Sequence, residues 1–546
     1  MTGVSAPELA PEKTVQSERR SISAFTLDSL LQRNLPLYGA EPGRIAVIYG
    51  EQEVTFEQLN ARSEALALGL LANGFQRGDA VCVLANNCAE WFELLFALAK
   101  IGGVIVPINY LLKPKEISFI VADAGSRWIV GDEPLWNTVQ EVCADLDFEV
   151  VSISLGSDSA GDLSYEALCS TPGSLPPIEV LADELLLLQY TSGTTGFPKG
   201  AMHTHETILW NSLHQIPDFR INREDVHLVI PAMCWAAGFH SFTLAVLWVG
   251  GRIVINPSRG FSPEAFCATV EHYGITKTIL VPAVLRRILS YAQLEQHDLS
   301  SLNLALSGGE PVPIQLIDEW HNRVPSCALV QGYGMGEFPT LMLSLGAEDA
   351  RRKAGAAGRS CLVAQVRVVD KDFRDVAVDQ VGEIVVLSPA CMVGYRGQPS
   401  ATAEAFHQGW MRTGDLARVD EDGYVYIAGR VKEMIIVGGL NVYPAEVERV
   451  LLDLEAVSEA AVVGVPDPGW GEVPEAFVSV KPGHAITAPE LEEYCRLNLA
   501  NYKIPRSWRI SWDPLPRTAS GKIQRHVLAS LAREALAGPE APMMLA

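Results

Sequence analysis

Apolar positions in this chain fall into short continuous runs, set between longer stretches in which they recur every three or four residues. The runs "AVCVLA", "GVIVPIN", "WIVGD", "LLLLQY", "RIVINP", "TKTILVP", "LNLALSGG" and "CALVQGYG" follow one another between residues 80 and 334. A run without polar alternation is what a strand buried on both faces requires. Alternation of such runs with helical stretches, from about Ser21 to Arg430, therefore predicts an α/β fold whose strands feed functional loops. From Val366 the rhythm shortens to "VRVVD", "GEIVVLS" and "GYVYIAG" with Gly and Asp between, predicting an antiparallel sheet or a small barrel. Past Arg430 an amphipathic helix is predicted. Pro444 suits its first position, Glu446 its first turn, and Val447, Val450, Leu451 and Leu454 repeat at helical spacing. Strands near Ala460–Val465 and Ala476–Val480 follow. The organisation expected is a loose tail over residues 1–20, a large domain over 21–431 and a small one over 432–546.

Composition excludes several classes. With 546 residues, 48% of them hydrophobic, the chain can fill several cores at roughly 100–200 residues per domain. Its formal net charge of −23 argues against broad attraction to nucleic acid or an anionic membrane, so any anionic ligand must be held by local positive groups. The stretch Phe92 to Ile108 is interrupted by Glu93, Lys100, Gly102 and Gly103 and falls short of the ~20 apolar residues of a membrane span, so no stable membrane insertion is expected. The first twenty residues lack a basic segment followed by an apolar core, which predicts a cytoplasmic protein. Ten scattered cysteines without a CxxC pair read as reduced core residues, and His203 and His205 have no partner at a zinc-ligand spacing.

Chemistry concentrates in five loops. "YTSGTTGFPKG" (Tyr190 to Gly200) leaves the end of the apolar run Leu185 to Tyr190. Its glycines let backbone N–H groups approach an anion, Thr191, Ser192, Thr194 and Thr195 add hydroxyl donors, and Lys199 adds charge. That set suits a polyphosphate. A flexible linker could share the composition, but linkers seldom follow four leucines or exit through Pro198 and Lys199. It is not a Walker A loop, since no GK is followed by Ser or Thr at the required spacing. "LSGGEPVP" (Leu306 to Pro313) and "QGYGMGE" (Gln331 to Glu337) follow strands; the second does not meet the dinucleotide fingerprint. "GWMRTGD" (Gly409 to Asp415) with "AGR" (Ala428 to Arg430) offers a carboxylate and a guanidinium able to bond a ribose diol. "PRTASGKIQR" (Pro516 to Arg525) places Lys522 on a Gly/Ser turn.

Taken in order, these loops resemble the adenylate-forming superfamily of acyl-CoA synthetases, peptide-synthetase adenylation domains and beetle luciferases, over about residues 25 to 530. The resemblance implies a large N-terminal domain of stacked α/β subdomains plus a distorted β-barrel, with a small mobile C-terminal α+β domain. It implies ATP, Mg2+ and CoA as cofactors and co-substrates. Thr191, Ser192, Gly193, Thr194, Thr195, Gly196 and Lys199 would cover the β- and γ-phosphates, Thr195 and Lys199 with a catalytic part. Tyr333 would stack on adenine, with Gly309, Glu310, Gly332 and Gly334 lining that pocket. Asp415 and Arg430 would hold the ribose hydroxyls, and Glu337 would be the magnesium carboxylate. Lys522 would join the attacking carboxylate to the α-phosphate, Gly438 and Gly439 would flank the pantetheine tunnel, and Lys432 would be the hinge of a rotating small domain. One position departs from the pattern: Gly336 stands where the family usually has Thr before the glutamate, so one hydroxyl contact is expected to be missing.

The activity this implies is attack of a carboxylate on the α-phosphorus of ATP to give an acyl-adenylate, then attack of a thiol such as that of CoA with release of AMP. "VIPAMCWAAGFHSFTLAVLW" (Val229 to Trp248) has no acidic residue to pair with an α-ammonium, which favours a non-amino acid. Trp235, Ala236, Gly238, Phe239 and Met335 are the candidate walls of a wide apolar acyl pocket. An enzyme running mainly the adenylation half with a separate acceptor, and an inactive nucleotide-binding regulator, stand as alternatives. The sequence leaves a homodimer open and does not identify the acid.

Overall fold

The computed structural model describes residues 25–156, 161–191, 198–309, 312–517 and 523–537. All eight apolar runs form strands. In the unit Met1–Gln365 with Leu387–Met411 they belong to two large sheets. One sheet takes, in order, Arg359–Ser360, Phe338–Leu345, Ala328–Met335, Leu304–Gly308, Lys277–Ile279, Val226–Val229, Arg252–Ile255, Ile45–Tyr49 and Gln52–Thr55. Its interior pairings are parallel and its edges antiparallel. The other takes Gly394–Tyr395, Lys199–Thr204, Leu185–Thr191, Val104–Pro107, Ala80–Leu84, Trp128–Asp132, Val151–Leu155 and Leu163–Ser164. Ala80–Leu84 and Val104–Pro107 are buried throughout and Leu185–Thr191 at all but its two ends, as continuous apolar runs in a parallel sheet should be.

The helix Glu90–Ile101 is buried over eleven of its residues, the charged Glu93 and Lys100 included. Charges there persist only when paired. Glu93 is 1% exposed and accepts from Arg62 at 2.6 Å and from the Tyr165 hydroxyl at 3.3 Å. Lys100 donates to Asp28 at 2.6 Å and to Asn60 at 2.8 Å. The two charged interruptions that argue against a membrane span are thus members of internal ion pairs. Among the described residues, no helix is long and apolar enough to cross a membrane.

The second unit, Val366–Val386 with Arg412–Ala546, has its own core. Shorter strands there build the expected antiparallel pairing, with Val425–Arg430 against Trp410–Val419. The predicted amphipathic helix is Pro444–Leu452; Val447, Val450 and Leu451 are buried, and Glu446 pairs with Lys503 at 2.7 Å. Val457–Asp467 and Gly471–Val480 form a long hairpin behind it. The mixed α/β fold, with a large N-terminal and a smaller C-terminal part, is the one the resemblance implies. All ten cysteines are free, eight of them buried.

Candidate active site

The strands Leu185–Thr191 and Lys199–Thr204 form an antiparallel hairpin with Thr191 opposite Lys199. Its connecting segment is the predicted phosphate loop, and Ser192, Gly193, Thr194, Thr195 and Gly196 lie outside the described residues. At its base the Lys199 ammonium sits 5.1 Å from the centre of the Tyr395 ring, a cation–π distance. Tyr395 comes from Gly394–Tyr395, paired antiparallel to Ala201 and Met202.

A second hairpin supplies the carboxylate. Ala328–Met335 and Phe338–Leu345 are joined at Gly336–Glu337, with a register shift between Tyr333 and Met335. Glu337 is 8% exposed. Its Oε1 accepts from the Thr191 hydroxyl at 3.0 Å and the Tyr395 hydroxyl at 2.9 Å. Among the described residues no hydrogen bond reaches Oε2, which leaves one hard oxygen for a divalent cation; the donor set fits Mg2+. The turn is held from below. His203 Nε2 is 2.9 Å from the Gly336 carbonyl, and Met392 N–H donates to the Glu337 carbonyl at 2.8 Å. Burial pushes the His203 pKa down to about 3, so the ring is neutral and Nε2–H is the donor.

The other predicted residues are placed as follows. Tyr333 and Met335 are half-buried on their strand; Gly332 stands opposite Gly308 in the last pair of two neighbouring parallel strands, and Gly309 follows with φ +86°. Gly334 is exposed, and Glu310 lies outside the described residues. In the second unit Asp415 is 7% exposed and accepts from Arg430 Nε at 2.8 Å across an antiparallel pair. Lys432 lies in the 3-10 turn Val431–Glu433, directly after that strand. Gly438 and Gly439 form the two-residue turn between Ile435–Val437 and Leu440–Val442; both have positive φ, +55° and +87°, as a type I′ hairpin requires. Lys522 lies outside the described residues.

Of the acyl-pocket candidates, Trp235 and Ala236 are half-buried at the start of the short helix Ala236–Phe239. Phe239 is 1% exposed, its ring 5.3 Å from that of Trp91. Gly238 is packed so closely that a Cβ would stand 2.4 Å from the Ala232 carbonyl oxygen.

Sequence reasoning passes over Tyr395 and His203. His203 looks like one more residue of a strand, and Tyr395 is a short-strand tyrosine far along the chain; pairing with Lys199–Thr204 is what brings it to Glu337. Four wholly or nearly buried histidines, His203, His205, His227 and His240, have pKa values lowered by burial to about 3, 4, 4 and 4 from an ordinary 6.5. Between those values and 6.5 the unfolded chain binds protons that the folded one does not. Their stabilising effect is complete above pH 6.5 and lost as pH falls, by about 1.4 kcal/mol per pH unit for each fully titrating histidine. Urea unfolding at pH 8, 7, 6 and 5 should show a plateau and then a steep decline; a flat profile down to pH 5 would contradict the buried neutral state.

Known proteins resemble this chain over most of its length. The AMP-binding enzyme family model matches residues 38–396, and that of the AMP-binding enzyme C-terminal domain matches residues 446–522. A feruloyl-CoA synthase of an Amycolatopsis species is 38% identical over 482 residues, covering 88% of this chain and 94% of the relative. An indoleacetate–CoA ligase of Aromatoleum aromaticum is 35% identical, covering 89% of this chain and 95% of its own length. The crystal structure of an anthranilate CoA ligase in complex with anthranoyl-AMP superimposes with a TM-score of 0.85 at 27% identity, over 95% of this chain and all of that one. With family models matched over most of its length and relatives above 30% identity covered almost end to end, this chain belongs to the AMP-binding enzyme family, as an AMP-forming acyl-CoA ligase.

Proposed function

We propose that this ligase takes a hydrophobic, non-amino carboxylic acid bearing a ring, and that Glu337, Lys199 and Lys522 carry its first half-reaction. The observation that carries the proposal is the buried Glu337 carboxylate bonded to Thr191 and Tyr395, with the Lys199 ammonium over the same Tyr395 ring. The ring is suggested by relatives whose names specify feruloyl and indoleacetate groups, and the absence of an α-ammonium by the acid-free segment Val229 to Trp248.

In this reading a carboxylate oxygen attacks the α-phosphorus, forming the C–O–P linkage as the α–β phosphoanhydride bond breaks and pyrophosphate leaves with its electron pair. Lys199 and the loop donors would stabilise the departing charge, and Lys522 would offset the charge between the attacking carboxylate and the α-phosphate. Mg2+, which Glu337 would hold, supplies charge neutralisation on the phosphates. Asp415 and Arg430 take the ribose hydroxyls, Tyr333 the adenine. In the second half the thiol sulfur of CoA adds to the acyl carbon, the thiol proton passes to solvent and AMP departs. Pyrophosphate release measured across fatty, aryl, steroid-like and terpenoid acids tests the proposal. Release with ring-bearing acids and thioester formation with CoA are expected; release with no acid of the panel would overturn it.

The acyl wall is tested separately. Trp235 and Ala236 are both half-buried, so Ala236→Trp should remove about a ring's worth of space. The expected outcome is at least tenfold lower kcat/KM for a bulky acid relative to propionate, on the order of what filling a hydrophobic pocket costs. Gly238→Leu is a poor probe, because its Cβ would meet backbone. An unaltered bulky-to-short ratio in Ala236→Trp would place the acyl wall elsewhere.

A further inference from the structure

Gly336 stands where a hydroxyl side chain is usual, and the space such a side chain would fill is already taken. A Cβ built on Gly336 would lie 2.1 Å from Cγ2 of Thr191, against roughly 3.5–4.0 Å for ordinary carbon contacts. Its next neighbours, Thr191 Cβ and Gln189 Cγ, are at 3.6 and 3.7 Å, which is comfortable. The backbone at 336 does not have a positive φ, so it accepts any residue; a single methyl group forbids one.

That methyl belongs to the residue whose hydroxyl holds Glu337. Thr191 Oγ1 donates to Glu337 Oε1 at 3.0 Å. Neither hairpin can easily give way. The Gly336 carbonyl is fixed by His203 and the Glu337 carbonyl by Met392 N–H, while Thr191 ends a strand in register with Lys199. With a side chain at 336, Thr191 would have to turn to another staggered rotamer, and turning it by about 120° swings the hydroxyl off Glu337. We infer that Thr191 is a positioning residue for Glu337, that it supplies from the first hairpin the hydroxyl absent at 336, and that Gly336 is the condition for it doing so. Thr191 and Tyr395 together occupy Oε1, and among the described residues no hydrogen bond reaches Oε2, the oxygen that would meet a cation.

This inference rests on reading Glu337 as the carboxylate that meets Mg·ATP, and its test needs no acid substrate. ATP affinity of the full chain is measured by calorimetry in Mg2+ and in EDTA. Gly336→Ala should weaken binding in Mg2+ about tenfold or more, the effect of losing one hydrogen bond to a charged group, and leave affinity in EDTA unchanged. Thr191→Val, which adds no bulk but removes the donor, should lose as much. Thr191→Ser keeps the hydroxyl without Cγ2, so alone it should bind as the parent does, and in Thr191→Ser/Gly336→Ala it should restore Mg2+-dependent affinity. Parent-like binding by Gly336→Ala or by Thr191→Val, failure of the serine to rescue, or equal losses in EDTA would each overturn the inference. A parent protein that binds Mg·ATP but releases no pyrophosphate with any acid would instead defeat the proposed function and leave this cycle readable.

Discussion

Replacing Lys522 with alanine is expected to slow adenylate formation about 100- to 1,000-fold, the range found when one charge-stabilising donor is removed from such a site. Transfer of the acyl group from a supplied acyl-adenylate to CoA should stay nearly intact. The asymmetry follows from the chemistry. In the first half a carboxylate and a polyphosphate, both anionic, must be brought together, and an ammonium between them offsets the repulsion as charge concentrates at phosphorus. In the second half the electrophile is an anhydride and the leaving group is AMP, so the same lysine has no equivalent task. Rapid-quench measurement of each half-reaction separates them. An equal loss in both halves would remove Lys522 from the attacking oxygen and with it the idea that the small domain serves the two halves in different positions.

Lys432→Pro should give the opposite pattern, with adenylate formation retained and thioester formation slowed about 100-fold, the scale of a misplacement of roughly 1 Å. The residue lies in a 3-10 turn immediately after Val425–Arg430. Proline's φ near −65° lies within the 3-10 range, while a backbone rotation at this residue is blocked. Single-turnover thioester formation at the parent rate would move the hinge to another position. Together the two variants form a test neither makes alone: each should spare the half-reaction that the other removes.

Most of the fold was legible because strands buried on both faces must be apolar without interruption. The eight runs from "AVCVLA" to "CALVQGYG" are strands for that reason, and the helix Pro444–Leu452 was legible from its proline, its first-turn acid and its apolar stripe. The helix Glu90–Ile101 was harder to read. Its Glu93 and Lys100 look like breaks in an apolar stretch, and only Arg62, Tyr165, Asp28 and Asn60, brought from other elements, make them members of a buried helix.

At the candidate site the division has the same cause. Composition and local order marked which loops are candidates for phosphate, ribose and carboxylate chemistry, because glycine, hydroxyl, lysine and acid have fixed capacities wherever they stand. What the sequence could not decide was which of them meet. Thr191 and Glu337 are 146 residues apart, and Tyr395 a further 58 beyond, yet all three share one carboxylate oxygen. Glycine at 336 reads in the sequence as a lost hydroxyl; in the fold it is space filled by the Thr191 methyl group. Residue type sets what a group can do, but hydrogen bonds and steric exclusion act over a few ångströms, and distances of that kind between remote segments are decided only when the sheets pair.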